Sequence, residues 1–298
     1  MQPSRFHPAL SLVALAAALA LPAQAQNTLE KVKTSGSISV AYRESSIPFS
    51  YLDDKAQPVG FGVDICDRIV DEIKKATGRA DLKVTRQAVT SANRIPLLVN
   101  GTIDIECGST TNNSDRGKQV AFATNYFYTG TRFLVKADAG IKGMGDLNDK
   151  IVVSTTGTTN FRIMRNLISE QKLPIELIGA KDHAESALLV ESGRAAAFAM
   201  DDILLFGLRA SAQNPASLAV VGEAIQVEPY AIMVRREDPT MKALVDGVLA
   251  GMMKSGEFTR LYAKWFQSPI PPRGINLNAP MGKELTDNMR LLSDKPAT

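Results

Sequence analysis

Histidine and cysteine are scarce in this sequence, which limits the metal and catalytic sites that it can build. The 298 residues include two histidines and two cysteines. His7 lies in an N-terminal segment that we expect to be removed, so His183 is the one histidine left for chemistry. A zinc site of the usual kind cannot form from one histidine and two distant cysteines. A Ser-His-Asp triad would need His183, and no G-x-S-x-G motif is present to expose a serine.

Long apolar runs are also missing, with one exception near the N-terminus. Residues 9–21 form an apolar and small-residue run after Arg5, and AQA at residues 23–25 fits a small-x-small cleavage site. A membrane anchor needs about twenty apolar residues, and this run has roughly thirteen. We therefore predict a signal peptide over residues 1–25, export to the periplasm and a mature protein that is not embedded in the membrane.

Charge of one sign does not dominate the chain. There are 34 lysines and arginines against 31 aspartates and glutamates, which gives a net charge of +3. The basic residues are spread along the sequence, and no basic cluster is interleaved with aromatic side chains as in a nucleic-acid surface. We therefore expect no nucleic-acid partner.

Cys66 and Cys107 both remain after the predicted signal peptide. We predict Cys66 early in a helix and Cys107 at the end of a strand, and such ends meet at one edge of an α/β sheet. In an oxidising exported compartment the pair can form a disulfide. The alternative is two buried thiols that behave as small apolar side chains, and the sequence leaves both open.

Strand and helix patterns alternate along the chain, which is typical of sheets covered by helices. The alternation falls into two blocks. Residues 131–140, predicted as a strand that runs into a loop, lie between them, and a second strand over residues 230–236 follows the second block. The chain therefore crosses to a second domain and returns, which predicts an α/β fold of two lobes with a two-strand hinge and a cleft beside it. Lobe 1 takes residues 26–130 and 229–298, and lobe 2 takes residues 131–228. Asp64 and Ser91 are predicted to cap helices of the first lobe.

The turn ECGSTTNNSDR at residues 106–116 contains many more hydroxyl and amide side chains than a chain reversal needs. The pattern recurs, because IDIECGSTTNN and IVVSTTGTTNF both end an apolar strand with a Ser/Thr/Gly turn that leads toward a helix. Ligands of open α/β sheets bind at the carboxyl ends of the strands, where helix N-termini favour anions. Two such turns that face each other across a cleft can hold one small anion.

Seven segments carry a more specific resemblance: RESSIPFSY, TSANRIPLL, NGTIDIECGSTTNN, STTGTTN, AKDHAES, ESGRAAAFAMDD and KWFQSPIPP. They resemble the periplasmic glutamate/aspartate-binding proteins of amino-acid ABC transporters, in solute-binding protein family 3, over essentially the whole mature chain. The resemblance implies a two-lobed periplasmic-binding-protein fold of type II, with two mixed or parallel sheets flanked by helices. It also implies a receptor that binds L-glutamate or L-aspartate between its lobes and delivers it to an inner-membrane ABC permease. We expect a monomer without cofactor or metal.

The resemblance assigns a role to each matching residue of the cleft. The α-carboxylate of the ligand is bound by hydroxyl groups and a guanidinium fork, from Ser109, Thr111, Arg116, Thr156 and Thr159. The side-chain carboxylate is bound by Arg43, Ser91, Arg94 and His183. The α-ammonium is held by Asp201, with Asp202 as the competitor, because one of the two is expected to be only a helix N-cap. Helix capping is also the alternative for the threonines and for His183, and a surface position or local ion pair is the alternative for the arginines.

The charges of these residues favour an acidic amino acid. The ligand brings two carboxylates and one ammonium, and the site offers three arginines, one aspartate and His183 if it is protonated. Neutral glutamine would leave Arg43 and Arg94 facing an amide, and a buried cation without its anion costs several kcal/mol. Glutamate and aspartate differ by one methylene, worth about 1–3 kcal/mol, so the sequence does not decide between them.

A catalytic relative on the same fold, such as a cyclohexadienyl dehydratase, is the main alternative. Catalysis needs a positioned general acid or base. Glu44, Glu106 and His183 are the choices near the cleft, and the sequence gives none of them an orienting partner. Glu106 is also expected to point away from the cleft along its strand. We therefore favour a binding protein without catalytic residues.

Overall fold

The structure is a computed structural model that describes residues 27–297. The predicted signal peptide over residues 1–25 lies outside the described residues. Within residues 27–297 the chain alternates between strands and helices, as the sequence pattern predicts. No helix in this range is both long enough and apolar enough to cross a membrane.

The helices begin and end where the apolar spacing and the turn residues change. They are α1 (Thr28–Ser35), α2 (Phe61–Thr77), α3 (Arg94–Val99), α4 (Thr159–Gln171), α5 (His183–Glu191), α6 (Asp202–Ser211), α7 (Pro239–Lys254), α8 (Glu257–Phe266) and α9 (Lys283–Leu291). The longest of them, α2, buries Ile65, Ile69 and Ile73 on the face that the sequence spacing predicts. Gly78 ends it in a left-handed conformation that favours glycine.

Two of the predicted helix caps are wrong. α2 already begins at Phe61, so Asp64 lies within its first turn and accepts a hydrogen bond from Trp265 Nε1 at 2.7 Å. The Ser91 hydroxyl accepts a hydrogen bond from Arg43 at 2.9 Å and does not cap α3. The apolar repeat does not show at which residue either helix starts. Because a cap stands directly before the first free N–H groups, an error in the predicted start misplaces the predicted cap.

The strands form two large mixed sheets and one small sheet. They are β1 (Ser37–Tyr42), β2 (Ser45–Ser46), β3 (Ser50–Leu52), β4 (Pro58–Val59), β5 (Lys83–Ala88), β6 (Ile105–Glu106), β7 (Val120–Phe122), β8 (Phe127–Lys136), β9 (Ile151–Thr155), β10 (Glu176–Ala180), β11 (Ala197–Asp201), β12 (Leu218–Val221), β13 (Val227–Tyr230) and β14 (Met233–Arg235). β2, β3 and β4 form the small sheet.

The first large sheet has the strand order β5-β1-β6-β14-β7, in which β1 is parallel to β5 and β6 while β14 is antiparallel to both of its neighbours. The second has the order β10-β9-β11-β8-β12, in which β9, β10 and β11 are parallel and β8 runs against β11 and β12. We call the parts of the chain around these sheets lobe 1 and lobe 2. The predicted fold class, α/β with two mixed sheets flanked by helices, is confirmed.

β8 and β13 connect the two lobes. Residues 131–136 of β8 pair within the lobe 2 sheet, and residues 127–130 pair antiparallel with residues 227–230 of β13. We call 127–130 and 227–230 the hinge strands. The single return strand predicted over residues 230–236 is in fact two strands, β13 in the hinge and β14 in the lobe 1 sheet. Lobe boundaries at 130/131 and 228/229 fall at these strands and stay a prediction.

Aromatic side chains fix the hinge strands to lobe 1. The Phe49 ring lies 4.9 Å from that of Phe127 and 5.2 Å from that of Tyr230, one ring from each hinge strand. Phe266 of α8 stacks on Phe127 at 5.1 Å. All four rings are buried, and edge-to-face and offset pairs of this kind stabilise a core beyond their buried area. The paired ends of the hinge strands at Phe127 and Tyr230 are therefore held by packing against lobe 1.

Cys66 of α2 and Cys107, directly after β6, form a disulfide with their α-carbons 5.9 Å apart. Of the two alternatives that the sequence leaves open, the bridge is the one observed. It ties α2 to the chain immediately before residues 108–113, which we call the Ser/Thr turn. The start of that turn is thereby covalently attached to the core of lobe 1.

Residues 269–297, which we call the C-terminal segment, return from α8 and end beside the Ser/Thr turn. Asn288 Nδ2 of α9 donates to the Asn125 carbonyl at 2.7 Å. Asn112 Nδ2 donates to the Asp294 carbonyl at 2.7 Å, and the Ala297 N–H donates to the Asn112 carbonyl at 2.9 Å. The segment therefore satisfies polar groups of the turn that would otherwise face solvent or remain unpaired.

Candidate functional site

Arg43 and Arg94 lie at the carboxyl edge of the lobe 1 sheet, where their positions after strands place them. Each is 2% exposed. Arg43 Nη2 donates to Ser91 Oγ at 2.9 Å, and Arg94 Nη1 donates to the Ser109 carbonyl at 3.2 Å. Arg43 Nη1, Arg94 Nε and Ser109 Oγ are buried and have no hydrogen-bond partner among the described residues, and the acceptor Glu106 Oε1 beside Arg94 has none either. Buried donors without acceptors are costly, so this corner of the cleft is built to receive one.

His183 reaches the same corner from lobe 2. It is the first residue of α5, and the side chain of Asp182 caps that helix. His183 Nδ1 lies 2.9 Å from Thr155 Oγ1, and Nε2 lies 3.4 Å from Arg43 Nη2. Burial, and then the charges of Arg43 and Arg94, hold the pKa of His183 well below 6.5. The imidazole is therefore neutral in this arrangement, whereas the charge argument from sequence allowed it to be protonated.

Arg116 links the Ser/Thr turn to lobe 2. Its Nη1 donates to the Thr111 carbonyl at 2.9 Å, and its Nη2 donates to the Gly157 carbonyl at 3.1 Å. Burial, and then the charge of Arg94, lower the pKa of Arg116 to about 9, and the same two causes lower the pKa of Arg43 to about 9. The three arginines therefore share one buried region, and a solvated surface position for Arg116 is excluded.

The threonines from the end of β9 to the start of α4, at the second Ser/Thr/Gly turn of the sequence, have separate partners. Thr158 is the N-cap of α4, and its hydroxyl accepts from the Phe161 N–H at 3.1 Å. Thr159 Oγ1 faces the cleft, 3.2 Å from Thr111 Oγ1. Thr156 lies away from the cavity, because its hydroxyl donates to the Ala180 carbonyl at 3.1 Å on the neighbouring strand. Of the two threonines predicted to bind, the structure brings Thr159 into the cluster and leaves Thr156 outside.

Asp201 and Asp202 also differ in their contacts. Asp201 is buried, and its carboxylate accepts hydrogen bonds from Asn160 Nδ2 at 2.7 Å and from the Tyr230 hydroxyl. Asp202 accepts from the Thr129 hydroxyl at 2.7 Å and from the next backbone N–H of its own helix. Neither aspartate makes a side-chain cap bond of the expected kind: Asp201 stands at the N-cap position of α6 without one, and Asp202 is the first helical residue. Asp201 lines the cavity.

Glu106 does not point away from the cleft, and that expectation is wrong. Its side chain is fully buried, Oε2 accepts from the Thr110 hydroxyl at 2.7 Å, and Oε1 lies 3.9 Å from Arg94 Nη1. The expectation assumed a regular strand up to Cys107, whereas β6 contains only Ile105 and Glu106. Side-chain alternation does not extend beyond a strand of that length.

Sequence reasoning missed three polar residues of the cluster: Asn160, Glu228 and Tyr230. Glu228 is fully buried, and its Oε2 accepts hydrogen bonds from Thr111 at 2.8 Å and from Thr159 at 2.6 Å. Burial, and then the charge of Glu228, raise the pKa of Asp201 to about 8. The one available signal was the placement of Tyr230 at the start of the predicted return strand, with Glu228 two residues before it.

The two lobes lie close together around this cluster. The cavity between them has a volume of about 10 Å³, which is the room of a single water molecule. Its walls include seven predicted site residues, Ser91, Arg94, Ser109 and Thr111 from lobe 1 and Thr159, His183 and Asp201 from lobe 2. Arg43 and Arg116 stand behind this wall, bonded to its members. An amino acid is larger than one water, so the lobes must separate to admit it.

The chemistry of the site is that of anion and ammonium binding. Guanidinium groups, hydroxyls and backbone N–H groups suit carboxylates, and a buried aspartate suits an ammonium. No group of three or more residues able to hold a metal ion occurs among residues 27–297.

Comparison with known protein families gives one match over most of the chain. Residues 38–268 match the family model described as bacterial extracellular solute-binding proteins, family 3. The C-terminal segment lies beyond this match.

Similar curated proteins cover nearly the whole chain. An L-glutamate/L-aspartate-binding protein of Pseudomonas aeruginosa is 45% identical over 292 residues, which is 97% of each chain. A glutamate/aspartate import solute-binding protein of Escherichia coli K12 is 45% identical over 296 residues, 97% of this chain and 96% of the other. A glutamine-binding protein of Geobacillus stearothermophilus is 32% identical over 213 residues, 71% of this chain and 77% of the other.

Solved structures with the same fold include amino-acid-binding proteins. A variant of ArgBP from T. maritima superimposes with a TM-score of 0.72 at 27% identity, covering 80% of this chain and 99% of the other. An ancestral amino acid-binding protein described as a precursor of cyclohexadienyl dehydratase gives a TM-score of 0.69 at 28% identity, with coverage of 80% and 99%.

Proposed function

Since the chain belongs to the bacterial extracellular solute-binding proteins of family 3, we propose that it is a periplasmic receptor that binds L-glutamate or L-aspartate between its lobes and delivers it to an ABC importer. The relatives that match nearly its full length are named for glutamate and aspartate binding or import. The chain is a transport protein and not an enzyme.

One observation carries the ligand class. Three buried donors, Arg43 Nη1, Arg94 Nε and Ser109 Oγ, lack partners among the described residues and belong to one corner of the cleft. A carboxylate has about four lone-pair sites and can accept from several donors at once. A side-chain carboxylate placed there would satisfy these donors, with Ser91 and His183 beside it. This moves Ser109 from the α-carboxylate, where the resemblance places it, to the side-chain carboxylate, because its carbonyl is bonded to Arg94. An amide would offer one acceptor oxygen and bring two additional donors to a corner already rich in donors.

The distribution of charge within the site supports the same ligand. Counted from the sequence, the charges form one total for the whole site, whereas the structure separates them into two ends. The corner around Arg43 and Arg94 also contains Glu106, so two cations face one anion and a single carboxylate balances it. The other end contains Arg116 with Asp201 and Glu228. That end suits the amino acid's own α-carboxylate and α-ammonium. The surplus positive charge therefore lies at the side-chain end of the site.

We assign the α-carboxylate to Arg116, whose guanidinium has N–H groups beyond the two that donate to the Thr111 and Gly157 carbonyls, and to the turns that carry Thr111 and Thr159. The hydroxyls of these two threonines each donate their one hydrogen to Glu228 and are not counted as donors to the ligand.

We assign the α-ammonium to Asp201. Burial makes the ionised form of this carboxylate costly, and a bound ammonium that donates to it offsets that cost. We assign no ligand contact to Thr156, because its hydroxyl and its backbone N–H are both bonded to the Ala180 carbonyl.

A dehydratase-like activity on the same fold has little support from the contacts. His183 Nδ1 is bonded to Thr155 and Nε2 faces a guanidinium, so neither nitrogen is presented to a ligand as a general base. Glu106 accepts the Thr110 hydroxyl at Oε2, and its Oε1 lies 3.9 Å from Arg94 Nη1, so its side chain faces protein groups and has no orienting partner for catalysis.

Delivery to an importer requires that loaded and unloaded forms differ in shape. A ligand that bonds to both lobes provides that difference, because it favours the closed arrangement.

Calorimetric titration of the purified protein with glutamate, aspartate, glutamine and asparagine tests the proposal. We expect binding of the two acidic amino acids and at least a hundredfold weaker binding of the two amides, since a cation left unpaired costs about 3 kcal/mol. Equal affinity for glutamine and glutamate would reject the assignment of Arg43 and Arg94 to a carboxylate.

A further inference from the structure

Glu228 is a fully buried carboxylate on a hinge strand. It belongs to β13, and its backbone pairs with Thr129 of β8. A buried carboxylate is costly unless donors surround it. Three side chains donate to Glu228: Gln226 to Oε1 at 2.8 Å, and Thr111 and Thr159 to Oε2.

The contact at Oε2 joins the two lobes. Thr111 Oγ1 lies 2.8 Å from this oxygen and Thr159 Oγ1 lies 2.6 Å from it, while the two hydroxyl oxygens are 3.2 Å apart. Thr111 belongs to the Ser/Thr turn of lobe 1, and Thr159 is the first residue of α4 in lobe 2. One carboxylate oxygen of the hinge therefore holds a hydroxyl group from each wall of the cleft.

The two bonds respond differently to an opening of the lobes. The Ser/Thr turn is attached to the same hinge strand, because Thr111 forms a β-bridge with Tyr230 and the Asn112 N–H donates to the Pro229 carbonyl at 2.8 Å. Thr159 is carried by α4, which packs on β9 and β11 of lobe 2. Rotation of lobe 2 away from lobe 1 breaks the bond from Thr159 and keeps the bond from Thr111.

We propose that Glu228 is an interlobe latch: its carboxylate favours the closed arrangement by accepting the Thr159 hydroxyl, and it positions the two turns that carry Thr111 and Thr159 for the ligand. The preference for the closed arrangement does not depend on any contact with a ligand. The positioning role rests on the proposed function.

The effect on binding follows from the population of the closed arrangement. The cavity of the closed arrangement has room for one water, so a ligand enters the open arrangement and the lobes then close on it. A bond from Thr159 to Glu228 that is kept in the loaded, closed arrangement favours this closure, and a tenfold gain in closure raises the affinity up to tenfold, which corresponds to about 1.4 kcal/mol. A charge-assisted hydrogen bond has sufficient strength for this.

Small-angle X-ray scattering of the ligand-free protein tests the latch without any ligand. We expect Glu228→Gln and Thr159→Val each to increase the radius of gyration relative to the wild-type protein. Thr159→Ser keeps a hydroxyl and should retain the wild-type radius. Glu223→Gln makes the same change at an exposed position of the same connecting segment and is the matched control.

The double variant Glu228→Gln/Thr159→Val separates the latch from a general loosening of the fold. Both substitutions act on the same bond, because Glu228→Gln removes the charge of its acceptor and Thr159→Val removes its donor, so the double variant should be no more open than the Thr159→Val variant. Because Thr159→Val removes the bond from lobe 2, it tests the latch even if Glu228→Gln does not fold. Wild-type radii for both single variants, an equal shift in Glu223→Gln, or additive shifts in the double variant would overturn the latch.

Calorimetry with glutamate then tests the use of the latch in binding. We expect Glu228→Gln to bind glutamate about tenfold more weakly than the wild-type protein. Unchanged affinity together with a larger radius would overturn the positioning role. Wild-type protein that binds no acidic amino acid would overturn the proposed function, and the scattering result would still decide the latch.

Discussion

Arg43 of lobe 1 and His183 of lobe 2 face each other across the cleft, with the guanidinium Nη2 3.4 Å from the imidazole Nε2. A guanidinium has only donors, so Nε2 must be the acceptor and the proton of the neutral ring lies on Nδ1, toward Thr155. The cation of Arg43 and the neutral imidazole of His183 therefore lie side by side in the cleft. A ligand carboxylate that enters there competes with the imidazole for the hydrogens of Arg43.

Removal of a guanidinium from this corner should weaken glutamate binding. We expect Arg43→Ala or Arg94→Ala to raise the dissociation constant by at least a hundredfold, about 3 kcal/mol, because a buried carboxylate loses its charge-assisted partner. Titration calorimetry measures the change. Arg68→Ala, which removes an arginine that is 58% exposed on α2, is the control and should bind normally. Near-wild-type affinity in Arg43→Ala would remove that residue from the site.

The two neighbouring aspartates should differ sharply. We expect Asp201→Asn to weaken glutamate binding about a hundredfold, since the ammonium loses a buried ionic partner. Asp202→Asn should change the affinity by less than about threefold, because Asp202 bonds to Thr129 and to its own helix. The same calorimetric titration compares them. The reverse ranking would mean that Asp202 holds the ammonium.

Asp201 should make the ligand-free protein less stable as the pH rises. Its pKa is raised from 3.8 in the unfolded chain to about 8 in the folded state, so the folded state binds the extra proton. Its contribution to the free energy of unfolding is fully present below pH 3.8 and is lost as the pH rises through about 8. Between pH 6.5 and 8 we expect a loss of roughly 1–2 kcal/mol.

His183 acts in the opposite direction in a lower range. Its folded pKa lies well below 6.5, so its contribution is present above pH 6.5 and is lost as the pH falls below that value. The range from pH 6.5 to 8 therefore isolates Asp201 from His183. Urea unfolding at several pH values across it should show the decline in the wild-type protein and a flatter curve in Asp201→Asn. Parallel curves would contradict the assignment.

The disulfide should be intact and should contribute to stability. Titration of the denatured wild-type protein without reductant should find no free thiol, since Cys66 and Cys107 are bridged. The bridge joins residues 41 positions apart, and a loop of this size restricts the unfolded chain by about 4 kcal/mol. We expect the double variant Cys66→Ser/Cys107→Ser to lose a large part of that in urea unfolding. Two titratable thiols per chain in the wild-type protein would contradict the bridge.

The sequence predicted the parts of the molecule that depend on local pattern. Alternating apolar spacing identified the helices and strands. The positions after strands placed Arg43 and Arg94 at the carboxyl edge of the lobe 1 sheet and His183 at that of the lobe 2 sheet, because parallel strands end on the same side of a sheet. The contacts that depend on irregular backbone were not predictable. Glu106 turns toward Arg94 because β6 is only two residues long.

Glu228 illustrates a second limit. In sequence it is an acidic residue before a proline, which is ordinary for an exposed strand edge. Its burial arises because a turn from lobe 1 and a helix from lobe 2 close over the hinge at the same place. That meeting depends on the relative position of two lobes, and no local pattern contains it.

The C-terminal segment has a practical consequence for work with this protein. Because the Ala297 N–H donates to the carbonyl of Asn112, beside Thr111, a purification tag or fluorescent fusion added after the last residue would emerge next to the Ser/Thr turn. A reporter at that end could perturb the very titrations it is meant to monitor. Labels are better attached to an exposed surface of lobe 2, such as Lys172 at the end of α4.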